Sequence, residues 1–187
     1  TAAVVSLTGT DNTAAAGAMF LTQRITTRSF RADFKFRVIP GAPGGETSSD
    51  GFTFTIAASP AALGSAYGGL GYAGIKPGGF SIEFDTWNNG PALNDPDGNH
   101  LGLNLNGSTL SVRTVPLPIR IDDGLLHTAI VTYEATVQGG HVTVSVDGQL
   151  FLDVTDQQIG VPDGYFGFTA STGEGTAEHR IESFRLL

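Results

Sequence analysis

SFRADFKFRV, residues 29–38, alternates Phe30, Ala32, Phe34, Phe36 and Val38 with Arg31, Asp33, Lys35 and Arg37. Successive side chains of a strand point to opposite faces, so period two describes a strand with one face on a core and the other toward water. The same alternation recurs in residues 51–56 (Phe52, Phe54, Ile56), 80–85 (Phe80, Ile82, Phe84) and 101–105 (Leu101, Leu103, Leu105). Within residues 141–154, HVTVSVDGQLFLDV, Asp147-Gly148 separates two β-prone runs and suits a two-residue turn with positive φ. Asn106-Gly107, between LGLNL and STLSVRT, reads as a second hairpin of that kind. No segment longer than a few residues holds a helical apolar period, and Gly, Pro and Asn interrupt the chain throughout. The expected fold is all-β: a two-sheet antiparallel sandwich of the jelly-roll kind, with no internal repeat and a last strand over residues 178–187.

The 187 residues show no linker-like break, so residues 1–187 are expected to form one domain. A formal charge of -8, with ten scattered basic residues, argues against nucleic acid, because phosphate backbones are held by clustered Lys and Arg. Divalent cations suit such a surface better. No run of about eighteen apolar residues exists, so no membrane insertion is expected. The chain starts at Thr1 rather than Met, which reads as a processed or excised segment. Zero cysteines exclude disulfides, zinc thiolates and thiol catalysis.

Residues 83–100, EFDTWNNGPALNDPDGNH, concentrate ligand chemistry in a sparingly charged chain. Glu83 and Asp85 share a strand face, about 7 Å apart along it, and face away from the core. Asn89 and Asp95 follow in the loop, and His100 opens the next strand. Oxygen donors of this kind suit calcium, whereas several carboxylates with one imidazole suit a transition ion such as manganese. Turn chemistry accounts for Asn88, Gly90, Pro91 and Gly98, but not for Glu83, Asp85 and His100 on flanking strands.

The run SIEFDTWNN, followed by NDPDGNHLGLNLNG, resembles the metal-binding signature of the legume-type (L-type) lectins. SSDGFTFTI is similar to that family's Asp-Gly strand, AYGGLGY to its glycine-rich loop, and YFGFTASTGEGTAEHRIESFRL to its closing strand-loop-strand. The Gly-Gly-Leu-Gly-Tyr loop is most similar to bacterial members. The resemblance implies a legume-lectin-like sandwich that binds carbohydrate without catalysis and is secreted or displayed on a cell surface. It further implies that Glu83, Asp85, Asp95 and His100 hold manganese or another transition ion. Calcium would take Asp85, Asp95, Asn89 and the main-chain carbonyl of Trp87.

A sugar site needs a carboxylate, an amide, a backbone N–H and an aromatic plate for the C–H face. By the resemblance these are Asp50, Asn89, Gly68 or Gly69, and Trp87, with Thr172, Gly173 and Glu174 in a variable loop that tunes specificity. A cis peptide before Asp50 is also implied. The partner would be a mono- or oligosaccharide of a glycoconjugate, and a homo-oligomer is compatible with the family.

Gly69 to Gly74 matches G-x-G-x-x-G, but the dinucleotide fingerprint needs a helix where a strand follows here. Asp95 to Asn99 resembles part of an EF-hand loop without its closing Glu or helices. Asn106-Gly107-Ser108 is a sequon that its turn explains. His127, His141 and His179 are expected to be satisfied structural residues. Two rival readings remain: a glycoside hydrolase on the same sandwich, for which the third acid of a Glu-x-Asp-x-Glu strand is missing at Trp87, and a structural or adhesive module of a larger surface protein.

Overall fold

The computed structural model describes residues 4–41 and 48–187. Among these residues the strands, in chain order, are β1 (Val5–Ser6), β2 (Ala16–Phe20), β3 (Ile25–Thr26), β4 (Ser29–Pro40), β5 (Gly51–Ala57), β6 (Pro77–Asp85), β7 (His100–Leu105), β8 (Arg113–Pro116), β9 (His127–Thr136), β10 (Gly139–Val146), β11 (Gln149–Asp156), β12 (Asp163–Ser171) and β13 (Ala177–Leu186). They form two antiparallel sheets: a back sheet ordered β1-β13-β4-β9-β10-β11 and a front sheet ordered β2-β12-β5-β6-β7-β8, with β3 paired to β12. The two sheets face each other as the sandwich that the alternating pattern requires. Helix is limited, among the described residues, to two single 3-10 turns, Tyr67–Gly69 and Gly90–Ala92, and no helix is long and apolar enough to cross a membrane.

The period-two residues of β4 fill the space between the sheets: Phe30, Ala32, Phe34, Phe36 and Val38 are all buried. They meet Phe52, Phe54, Phe84, Phe166 and Phe168 of the front sheet, with Phe34 edge-on to Phe168 at 5.0 Å and Phe52 stacked on Phe84 at 4.6 Å. Each such pair contributes roughly 0.5–1.5 kcal/mol beyond the area it buries. Asp147 and Gly148 take φ of 48° and 82°, and they close the β10–β11 hairpin as a two-residue turn.

Two expectations need correction. Asn106 and Gly107 do turn the chain, at φ of 58° and 69°, but β8 starts only at Arg113, so the link is no two-residue hairpin. The intervening residues dip inward so that the Ser111 hydroxyl reaches Glu83 Oε2 at 2.9 Å and Asn104 Oδ1 at 3.0 Å. The outer face of the front sheet is also dry where alternation promised water. β5 and β7 are buried at every residue. Leu70 and Tyr72, from the segment between β5 and β6, lie fully buried against this face, with the Thr169 hydroxyl donating to the Leu70 carbonyl at 2.7 Å. Polar side chains there satisfy one another, as Thr53 does with Thr169 at 2.7 Å and Thr55 with Ser81.

Register aligns four strand ends. Ser171 pairs with Gly51, Gly51 with Asp85, and Asp85 with His100. Whatever precedes β5 and β7 or follows β6 and β12 therefore gathers at one end of the front sheet. The Ser49–Asp50 peptide, just before β5, is cis, as the resemblance implied.

His127 opens β9 between two aspartates, Nδ1 lying 2.7 Å from Asp147 Oδ2 and Nε2 3.0 Å from Asp123 Oδ1. Carboxylates only accept, so both ring nitrogens must donate and the imidazolium is the form that satisfies both. Burial opposes that charge, yet the bonds to Asp147 and Asp123 outweigh it and raise the pKa above its ordinary value. A raised histidine stabilises the fold fully below the unfolded value and loses that contribution as pH rises through the folded one. The stability advantage of the wild type over His127→Gln should therefore be largest at pH 6 and shrink by pH 9 in urea unfolding. A gap that stays constant with pH would refute the charged clamp.

Candidate functional site

β6 carries the centre. Its inward residues Phe80, Ile82 and Phe84 belong to the core, so Glu83 and Asp85 turn to the covered outer face. β7 runs beside it and sets Gly102 opposite Glu83 and His100 opposite Asp85. A Cβ at Gly102 would lie 2.4 Å from Glu83 Oε2, so only glycine leaves room for that carboxylate. Ligand atoms of Glu83, Asp85 and His100 all fall within 4.8 Å of one another, and all three residues are buried. Asp95 approaches from the loop, with Oδ1 3.5 Å from His100 Nε2 and a side chain only 2% exposed. It joins the cluster from the imidazole side and stands outside the tight trio.

The state of His100 follows from its partners. Nδ1 lies 2.8 Å from the Asp97 carbonyl, which can only accept, so Nδ1 carries a hydrogen, and in that tautomer the neutral ring turns a lone pair on Nε2 toward the cluster. Nε2 is buried without a hydrogen-bond partner among the described residues and faces carboxylates. Three carboxyl groups and an imidazole nitrogen converging out of water stay together only with protons or a cation among them. The donor set thus fits a divalent cation, with mixed oxygen and imidazole ligands. Asn99 fixes the approach of His100: its amide donates to the carbonyls of Leu117 and Ile119 at 2.9 and 2.7 Å and accepts from Ile121 N at 3.2 Å.

Beyond β6 the chain is bound to this cluster. Trp87 N donates to Asp85 Oδ1 and Asn89 N to Asp95 Oδ2, each at 2.7 Å. Asn89 itself is exposed, and its amide lies against Gly68: a Cβ there would be 3.0 Å from both Nδ2 and Oδ1. Of the two candidate glycines, Gly68 faces the site. Gly69 is buried and donates its N–H to the Ala66 carbonyl at 3.2 Å. Trp87 stands outside the core with 36% of its surface exposed.

Asp50 occupies the centre of the mouth, 3% exposed, with Oδ2 unpartnered among the described residues. Gly173 lies beside it: a Cβ there would come within 2.7 Å of Asp50 Oδ2 and 3.1 Å of the Tyr67 ring. Glu174 is exposed at the rim. Thr172 turns away, because its hydroxyl bonds Asn12 O and accepts from Ala15 N at 3.0 Å. Asp50, Gly68, Trp87, Asn89 and Gly173 thus share one end of the front sheet above the acidic cluster.

A family model described as the legume lectin domain matches residues 2–186. The chain belongs to the legume lectin family. It is 30% identical over 185 residues to the L-type lectin-domain containing receptor kinase S.7 of Oryza sativa subsp. japonica, covering 90% of this chain and 26% of that protein. A lectin of Leucomphalos mildbraedii is 29% identical over 166 residues, with 82% of this chain and 66% of that one covered. Among solved structures, the lectin from Bauhinia forficata in complex with GalNAc superposes with a TM-score of 0.80 at 25% identity, covering 98% of this chain and 86% of that one. The chain spans about a quarter of the length of the receptor kinases it matches.

As a legume lectin domain it is a carbohydrate-binding unit rather than an enzyme. The geometry agrees, because Glu83 is sealed: Tyr72 Oη donates to Oε1 at 2.5 Å and Ser111 Oγ to Oε2 at 2.9 Å. A carboxyl so enclosed cannot reach a glycosidic oxygen. Tyr72, Ser111 and Tyr67 escaped the sequence reading, since each reaches this end of the sheet from a segment with no ligand pattern of its own, and Asn99, inside the ligand-rich stretch, was not singled out for its support of His100. The one local signal was a tyrosine at each end of YGGLGY.

Burial pushes the Glu83 carboxyl up to about 7 despite the bonds from Tyr72 and Ser111. Asp85 is pushed well above the ordinary carboxylate range by burial and by the charge of Glu83. A carboxyl with a folded pKa of about 7 against an ordinary value of 4.5 binds extra proton in the native state between those values. Native stability therefore falls as pH rises through that window. Glu83→Gln should make the metal-free domain more stable by about 2 to 3 kcal/mol at pH 8, with the gain vanishing near pH 4. Urea unfolding with a chelator present checks it, and a gain independent of pH would contradict the assignment.

Proposed function

We propose that residues 1–187 act as one carbohydrate-binding unit whose sugar site is the mouth framed by Asp50, Gly68, Trp87, Asn89 and Gly173, with Glu174 on its rim. The observation that carries this reading is the buried, unpartnered Oδ2 of Asp50 beside Gly173, at the strand end that also presents the Asn89 amide. A sugar hydroxyl both donates and accepts, so one hydroxyl can donate to that carboxylate while a neighbour accepts from the amide. Burial raises the Asp50 carboxyl to about 7, and hydroxyl donors would favour its ionised form. Trp87 offers an exposed indole to a sugar's C–H face.

We further propose that two divalent ions hold this mouth. Glu83, Asp85, Asp95 and His100 would take a transition ion such as manganese, and Asp85, Asp95, Asn89 and the Trp87 carbonyl would take calcium. The metals' contribution is charge neutralisation and rigidity: Asn89 is ordered before a sugar arrives, which lowers the cost of binding. The site is read as extracellular, on a secreted or cell-surface protein, and as part of a receptor or adhesive assembly where the domain is joined to others. The glycans would be those of glycoconjugates. A homo-oligomer is compatible with this role.

Asp50→Ala and Asn89→Ala should each weaken binding on a glycan array by about a hundredfold while leaving the far-ultraviolet circular dichroism of the sandwich at wild type. Binding retained by both variants would move the site elsewhere. Calcium and manganese affinity, measured calorimetrically on stripped protein, should fall between pH 8 and pH 6, because Glu83 regains a proton as pH drops through about 7 and burial favours the protonated form of Asp85 as well. Sugar binding should vanish with the ions, and affinity that survives chelation would exclude a metal-ordered mouth.

A further inference from the structure

Asn89 is followed by Gly90, and an Asn-Gly pair carries a chemistry of its own. The glycine nitrogen, once it sheds its proton to base, attacks the Asn side-chain carbon Cγ. A C–N bond forms, ammonia leaves, and the cyclic succinimide then adds water to open as aspartate or isoaspartate. Glycine favours the attack because no Cβ obstructs its nitrogen, and asparagine is accordingly among the thermolabile residues. Asn89 is exposed, so water and base reach it.

The backbone around the pair is set against ring closure. Closure requires Asn89 Cβ and Gly90 N to be eclipsed about the Cα–C bond, whereas a ψ of -3° eclipses the two backbone nitrogens instead. Gly90 N donates to Asn88 Oδ1 at 2.8 Å, which engages the proton that must leave and resists the rotation that closure needs. The rest of the turn is anchored as well: Asn89 N donates to Asp95 Oδ2 at 2.7 Å, and the Gly90 carbonyl accepts from Leu93 N and Asp95 N, each at 3.2 Å. Bulk gives no protection, because a Cβ at Gly90 would meet nothing within 4 Å.

We propose that Asn89 is a deamidation site held in check by Asn88, whose side-chain oxygen occupies the attacking nitrogen. The consequence rests on the sugar site proposed above. Aspartate at 89 has no N–H to offer a sugar oxygen and adds a negative charge beside Asp95, and isoaspartate also lengthens the main chain by a methylene. Deamidation therefore ends sugar binding irreversibly, and Asn88 sets how long the domain keeps it.

The test incubates the domain near pH 8 with a chelator, so that no ion holds Asn89, and follows conversion of the Asn89 amide to acid by peptide mass spectrometry. Folded wild type should convert at least about tenfold more slowly than the same chain in urea. Asn88→Ala should convert about tenfold faster than wild type, as expected for loss of one hydrogen bond. Asn88→Asp, whose carboxylate accepts the same N–H, should restore the slow rate. Wild type converting as fast as the chain in urea overturns the inference, as does Asn88→Ala matching wild type. Hydrogen exchange at the Gly90 amide of the wild type needs no variant to fold: slowed exchange supports the guard, and exchange at the unfolded rate overturns it. A deamidated fraction, separated by charge, should fail to bind a glycan array. If it binds as well as the intact fraction, Asn89 leaves the sugar site and the functional consequence falls, while the conversion rates judge the guard alone.

Discussion

Glu83, Asp85 and the imidazole of His100 bring ligand atoms within 4.8 Å of one another, almost without access to water. No Lys or Arg among the described residues pairs with Glu83 or Asp85. Two carboxyls cannot both stay charged in such a place without help, and the protein supplies it in two forms. Tyr72 and Ser111 donate hydrogen bonds that favour the charged form of Glu83, and protons are held toward neutral pH for the remainder. A cluster this costly to bury is the kind of feature that persists where function needs it.

The architecture around the cluster explains how a functional mouth depends on a buried pole. Register sets Ser171, Gly51, Asp85 and His100 in one row, so the segment before β5, the β6–β7 link and the segment after β12 meet at the same end of the front sheet. The β6–β7 link is bound to the acidic residues through Trp87 N on Asp85 and Asn89 N on Asp95. The position of the Asn89 amide is therefore a consequence of how the carboxylates are arranged. Gly68 and Gly173 then bring the remaining segments close without side chains in the way.

This coupling also separates a binder from a hydrolase on the same sandwich. Hydrolysis requires carboxyls that reach both sides of a glycosidic bond, one protonated at the moment of attack. Glu83 has a pKa suited to that task yet lies beneath Tyr72 and Ser111, while the accessible groups are an amide, an indole and the edge of Asp50. The proton-holding group and the accessible groups occupy different layers.

The sandwich and the clustering of Glu83, Asp85 and His100 follow from the sequence alone. Alternating Phe residues in residues 29–38, 51–56 and 80–85 settle strand and facing, because period two is a local property of the chain. Glu83, Asp85 and His100 were legible for the same reason, as donors of fixed parity on neighbouring strands. Only the tertiary structure decided that the outer face of the front sheet is dry, that Gly68 rather than Gly69 faces Asn89, and that Thr172 turns away. It also brought Tyr72, Ser111 and Tyr67 to the site. These depend on where irregular segments pack, and such segments follow non-local contacts that no periodic pattern records.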